Sequence, residues 1–152
     1  MQTTASPRVS SRDVRQAIPA AYKAVAEFGK AVKESGLEHD LLELVFVRAS
    51  QLNGCAYCVN MHARKLAELG VSDQKRELVV VWREAGVFTE REQAALRWTE
   101  TVTLLAATHA PDAEWEAVRA VFSEQDVIAL TAAIASINVW NRFAGVFRYE
   151  LD

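Results

Sequence analysis

Two cysteines, Cys55 and Cys58, stand three residues apart in this chain, and His62 follows four residues after the second. They are the only two cysteines of the sequence and one of its three histidines. Continued through Leu66 and Leu69, steps of three and four place all five side chains on one stripe of a helix. Asn60, Arg64, Lys65 and Glu68 fall on the opposite face. The stripe that carries the sulfurs is therefore predicted to turn inward.

Four chemistries fit these residue types. The first is a redox dithiol. Cysteines one helical turn apart have Cβ atoms roughly 5–6 Å apart, so a small adjustment closes the bond and nothing need unfold. Gly54 ends the preceding segment and lets a helix begin at the pair. The unpaired N–H groups of that helix start favour thiolate over thiol. His62, one turn beyond Cys58, is placed to take its proton or to pair with the thiolate.

The second chemistry is zinc, but three ligands from one helix leave a closed site short of a fourth. His39 and His109 stand in no ligand pattern, and no metal residues are assigned. The third, c-type haem, needs histidine directly after the second cysteine, where this chain has Val59. The fourth is an inert core of small thiols beside a hydrogen-bonded histidine. The spacing favours the dithiol.

The elements that must position these residues are helical. Residues 1–12 are polar and are expected to form a disordered tail, with one domain over 13–152. A first helix is expected from about Pro19 to Glu34, with Ala21, Ala24, Val25, Phe28 and Val32 inward. Gly36 ends it. Asp40 is an expected N-cap for a helix from about Leu41 to Leu52. That segment is apolar nearly all round, so it is expected to be buried on most sides. Glu43 sits within it. A buried carboxylate must be paired or protonated, and a partner such as Arg48 or a solvated edge would satisfy it.

The cysteine helix is expected to close at Gly70. The run Leu78 to Trp82 is short enough for a strand, but its surroundings favour helix. Thr89 to Glu92 is a capping box before a helix with Ala94, Ala95, Trp98, Val102 and Leu105 inward. His109-Ala110-Pro111 breaks it, with His109 exposed in the loop. Asp112 starts a short helix through Trp115, Val118 and Val121. Ser123 caps a last long one, where Thr131, Ser136, Asn138 and Asn141 are expected to hydrogen-bond in the core or across an interface. The expected fold is all-α, a compact bundle of about six to seven helices.

An apolar fraction of 51% and a charged fraction of 24% are those of a globular protein. The formal charge of −3 argues against a nucleic-acid partner. No uninterrupted apolar run reaches the roughly 18 residues of a membrane span. A close cysteine pair fits a cytoplasmic redox pair better than a secreted disulfide framework.

From Glu43 to His62 the chain reads Glu, eleven residues, Cys-x-x-Cys, three residues, His. This resembles the signature of the alkylhydroperoxidase D-like proteins, within the carboxymuconolactone decarboxylase superfamily. The stretches Leu44 to Cys58 and Ile137 to Ala144 resemble their single-domain branch. The resemblance is strong over Glu43–Gly70, fair over Val79–Thr101 and Ser123–Phe147, and absent before Pro19. Better studied members have a histidine between the cysteines where this chain has Tyr57, so no relay role is carried over there.

The resemblance implies a thiol-dependent hydroperoxide reductase or disulfide oxidoreductase. By it, Cys58 attacks the peroxide, Cys55 resolves, and His62 and Glu43 relay the proton. It also implies no bound cofactor, an external dithiol or protein electron donor, sometimes lipoyl-type, and trimers or hexamers. Trp82, Trp98, Trp140, Phe143 and Phe147 are among the apolar residues that compete for a modest core, and some of these are expected to line a subunit interface. A redox adaptor with incidental peroxidase activity is the alternative. A lactone decarboxylase ranks lower, because members with that activity are not marked by the cysteine pair.

Overall fold

A helix that is apolar on every side has to run through the middle of a structure. Residues 39–52 do so in the computed structural model, which describes residues 6–151. The elements are α1 (Ser11–Ala17), α2 (Pro19–Lys33), α3 (His39–Leu52), α4 (Ala56–Glu68), α5 (Asp73–Leu78), a 3₁₀ turn (Val79–Val81), α6 (Trp82–Ala85), α7 (Glu90–Thr103), α8 (Leu105–Thr108), α9 (Asp112–Arg119) and α10 (Glu124–Phe147). The fold is all-α, with no strand among the described residues. Six of these helices have eight or more residues and form the body of the bundle.

Every residue from Leu41 to Val47 is buried, because α3 packs on α4, α7 and α10 at once. It separates two hydrophobic clusters. On one side Leu42, Val45 and Phe46 meet Trp98 of α7, Val118 of α9 and Leu130 and Ile134 of α10. On the other, Leu44 and Val47 meet Leu66 of α4, Val79, Trp82, Phe88 and Leu96. The ambiguous run Leu78 to Trp82 is helical, passing from α5 through the 3₁₀ turn into α6. Leu66 is fully buried and ties the cysteine helix to this second cluster. Leu66→Ala is expected to cost about 2–5 kcal/mol, lost transfer energy plus the cavity left behind. Urea unfolding of the variant measures it.

Capping sets the boundaries. Ser10, Ser72 and Ser123 each accept a backbone N–H from the first turn of the helix they precede. Thr89 and Glu92 form the full capping box. The expected cap at Asp40 is corrected: Glu38 is the N-cap of α3 and contributes no side-chain bond there, while Asp40 accepts the N–H of Leu41 at 2.9 Å.

The expected disordered tail, residues 1–12, falls only partly within the described residues. Residues 1–5 lie outside the described residues. Beyond them, the Arg8 N–H donates to the Phe147 carbonyl at 2.9 Å, and α1 begins at Ser11.

Other inward faces also need correction. On α2 only Val32 is buried; Phe28, Ala21 and Ala24 are exposed. The helix lies at the bundle edge with α10 as its main support, so much of its apolar stripe goes uncovered. Leu105 is exposed because α7 stops at Thr103 and a separate turn follows. By length and composition α10 is long and apolar enough to cross a membrane. Here it serves the bundle, packed on α2, α3, α4 and α7.

Candidate active site

The site is built where α3 hands over to α4. Asn53 caps the end of α3, and Gly54 turns the chain with φ of +67°, a left-handed value that strains any residue with a Cβ. The next N–H, of Cys55, returns to the Ser50 carbonyl at 2.9 Å. Cys55 is extended and is itself the N-cap of α4. Its Sγ accepts the N–H of Cys58 at 3.3 Å, so the sulfur does the work usually done by a hydroxyl or carboxylate. The two cysteines are joined in a disulfide with Cα atoms 5.4 Å apart. Both are buried, against Ala144 of α10.

Polar side chains hold this corner to the last helix. Asn53 donates to Asn138 at 3.0 Å and to Asn141 at 2.9 Å. Asn141 donates to the Ser50 hydroxyl at 2.9 Å, and Asn138 to the Ile134 carbonyl at 2.8 Å. Elsewhere on α10, Thr131 accepts from the Trp98 indole at 2.9 Å. Ser136 is buried beside Gly29 of α2, where a Cβ would stand 3.3 Å from its hydroxyl. That close approach brings α2 up to the site.

One turn along α4, His62 is buried and its Nδ1 lies 2.5 Å from Glu43 Oε2. The other carboxylate oxygen, Oε1, accepts from Lys33 Nζ of α2 at 3.0 Å. Burial opposes ionisation of Glu43, but the hydrogen bonds and charges of His62 and Lys33 outweigh it and hold the carboxyl below its ordinary range. An ionised Glu43 accepts the Nδ1 proton, which leaves Nε2 as the ring nitrogen available for other chemistry. The Phe46 ring lies 5.0 Å from the imidazole, centroid to centroid.

Cys58 and His62 share the wall of a cavity of about 460 Å³. Cys55 does not line it. Glu43 lines a separate hollow of about 230 Å³ with His39, Lys33, Lys65 and Glu68. His62 thus stands between the cavity and the carboxylate.

All four residues singled out in the sequence therefore meet at one place, as a bonded cysteine pair and a bonded His–Glu pair. Two expectations are corrected, and one residue was missed. Arg48 is not the partner of Glu43; it pairs with Glu100 of α7 at 2.9 Å. Leu69 leaves the inward stripe and is exposed, because α4 ends at Glu68. Lys33 was not anticipated: ten residues before Glu43 and on another helix, it has no motif to mark it. His39 and His109 are exposed, and neither lines the cavity shared by Cys58 and His62. Among the described residues no group of three or more His, Cys, Asp and Glu side chains is placed to hold a metal ion.

With this geometry in hand, comparison with known proteins defines the class. The chain belongs to the carboxymuconolactone decarboxylase family, whose model matches residues 19–101, and its all-helical fold is that of the alkylhydroperoxidase D-like branch.

Among particular relatives, the uncharacterized protein YdfG of Bacillus subtilis is 32% identical over 91% of this chain and 92% of its own. A crystal structure from Agrobacterium tumefaciens, ATU0492, is 43% identical with a TM-score of 0.91, covering 97% of this chain and 99% of that one. It is described as a protein of unknown function and a candidate antioxidant-defence protein, AhpD. The debrominase Bmp8 shares the fold, with a TM-score of 0.76 at 18% identity over 88% of this chain and 72% of its own.

Proposed function

We propose that the protein is a thiol-dependent hydroperoxide reductase. One observation supports this above others: Cys58 and His62 line the same cavity, and His62 is backed by Glu43. In the reduced protein His62 takes the Cys58 thiol proton, and the resulting thiolate attacks the distal oxygen of a hydroperoxide. An S–O bond forms, the O–O bond breaks, and its electron pair leaves with the alkoxide. The alkoxide takes a proton from His62 and departs as alcohol. Cys55 then attacks the sulfenic sulfur, the disulfide closes, and water leaves. An external dithiol, of lipoyl type or carried by a protein, supplies two electrons to reopen the pair and is itself oxidised to a disulfide. No bound cofactor enters these steps. A pair that must be reduced after every turnover suits the cytoplasm, where thiols are kept reduced.

A peroxidase assay with the dithiol donor varied tests this. Peroxide consumption should depend on the donor and match its oxidation one to one. If the protein instead oxidises a partner's thiols much faster than it consumes any peroxide, the adaptor reading replaces this one.

The same proposal includes assembly. Of the five aromatics, Trp82 and Trp98 are buried in the core. Trp140, Phe143 and Phe147 form a half-buried row along α10, with centroids 6.3 and 6.4 Å apart. Ile128 and Val146 of the same helix are exposed. Such a face is suited to a second copy of the chain. Light scattering at micromolar concentration should report a trimer or hexamer; a monomer would count against it.

A further inference from the structure

The cavity that reaches Cys58 is charged against the trend of the molecule. The chain carries a formal charge of −3, yet among the described residues no Asp or Glu lines this cavity, whereas Lys30, Lys33 and Lys65 do. Five aromatic rings, Phe46 and Trp140 among them, supply much of the remaining wall. Lys33 is engaged by Glu43. The others are held more weakly: Lys30 makes an exposed ion pair with Glu34 at 3.8 Å, and Lys65 forms no ion pair with a described residue, although it also borders the hollow of Glu43 and Glu68. Catalysis by Cys58 and His62 uses neither.

Rings beside weakly paired ammonium groups suit an organic anion whose apolar body lies on the rings and whose single negative group meets the lysines. A volume of about 460 Å³ is far more than hydrogen peroxide fills and is within the range of small-molecule sites. We infer that the preferred substrates are hydroperoxides of apolar carboxylic acids, such as peroxidised unsaturated fatty acids, with the carboxylate held by Lys30 and Lys65 and the peroxide directed to Cys58. This rests on the peroxidase reading and adds to it a charge selectivity.

The test compares linoleic acid hydroperoxide with its methyl ester, both below their aggregation limits, with hydrogen peroxide as reference. The free acid should be favoured by about tenfold in kcat/KM at low salt. The preference should shrink as ionic strength rises and fall toward unity in the folded Lys30→Gln, Lys65→Gln double variant. Equal turnover of acid and ester overturns this inference and leaves the peroxidase reading standing. A preference that survives the double variant also overturns it. If no hydroperoxide is consumed, hydrogen peroxide included, the peroxidase reading fails. Binding then decides the site by itself: decanoate, but not decanol, should saturably change the tryptophan fluorescence of the disulfide form. Equal or absent responses overturn it.

Discussion

Cys58→Ser is expected to abolish peroxide turnover, while Cys55→Ser should still complete one attack and stop at a sulfenic acid that dimedone traps. The asymmetry follows from which sulfur the cavity reaches. Cys58 lines it and Cys55 does not, so a peroxide entering the cavity would meet Cys58. Cys58 also lies in the first turn of α4, where the helix dipole favours thiolate. Cys55 is suited to the opposite part. Its sulfur accepts the Cys58 N–H, and a hydrogen-bonded thiolate is the better leaving group. A reductant arriving through the cavity would attack Cys58 and expel Cys55. Mass spectrometry of the dimedone adducts reads the outcome. An adduct on Cys55 in Cys58→Ser, with no reaction in Cys55→Ser, would reverse the roles.

The second large effect is expected at the proposed proton relay. His62→Ala and Glu43→Gln should each lower kcat/KM by about 10²-fold, the lower end of what a positioned acid–base group contributes. The pH dependence has a definite direction. Glu43 is held below its ordinary range in the folded protein, so its contribution to stability is complete above the unfolded value of about 4.3 and is lost as pH falls through the lower folded value. The wild-type protein should lose both rate and resistance to urea along that acid limb, and Glu43→Gln should lose this step from both profiles. Unchanged kinetics in the two variants would return the pair to a packing role.

Much of the bundle is legible in the sequence because helical period, serine caps and glycine stops agree along the chain. Cys55, Cys58 and His62 are local, and a single helix brings them together. Glu43 is more distant, but the anomaly of a carboxylate in an apolar segment marks it. What could not be read has one physical source: which neighbour covers a given face. The Phe28 stripe of α2 looks like any buried stripe until α2 proves to lie at the edge. Leu69 and Leu105 keep the helical spacing, but their helices stop first. Lys33 looks like an ordinary surface lysine and acquires meaning only when α2 packs beside α3. Asn138 and Asn141 were recognisable as polar groups in need of partners, whereas Asn53, their partner, gave no signal in a turn where asparagine is commonplace.

The asparagine clamp bears on what other molecules can sense of this protein. None of the hydrogen bonds from Asn53 to Asn138 and Asn141, or from Asn141 to Ser50, involves a sulfur. The corner that carries the dithiol is therefore expected to be braced in the same way whether the pair is open or closed. Amide exchange across α3, α4 and α10 should be nearly the same in the two states. A protein built like this is a poor messenger of redox change by shape. Anything that tells its oxidised from its reduced form has to do so at the cavity mouth, by direct chemistry with the sulfur.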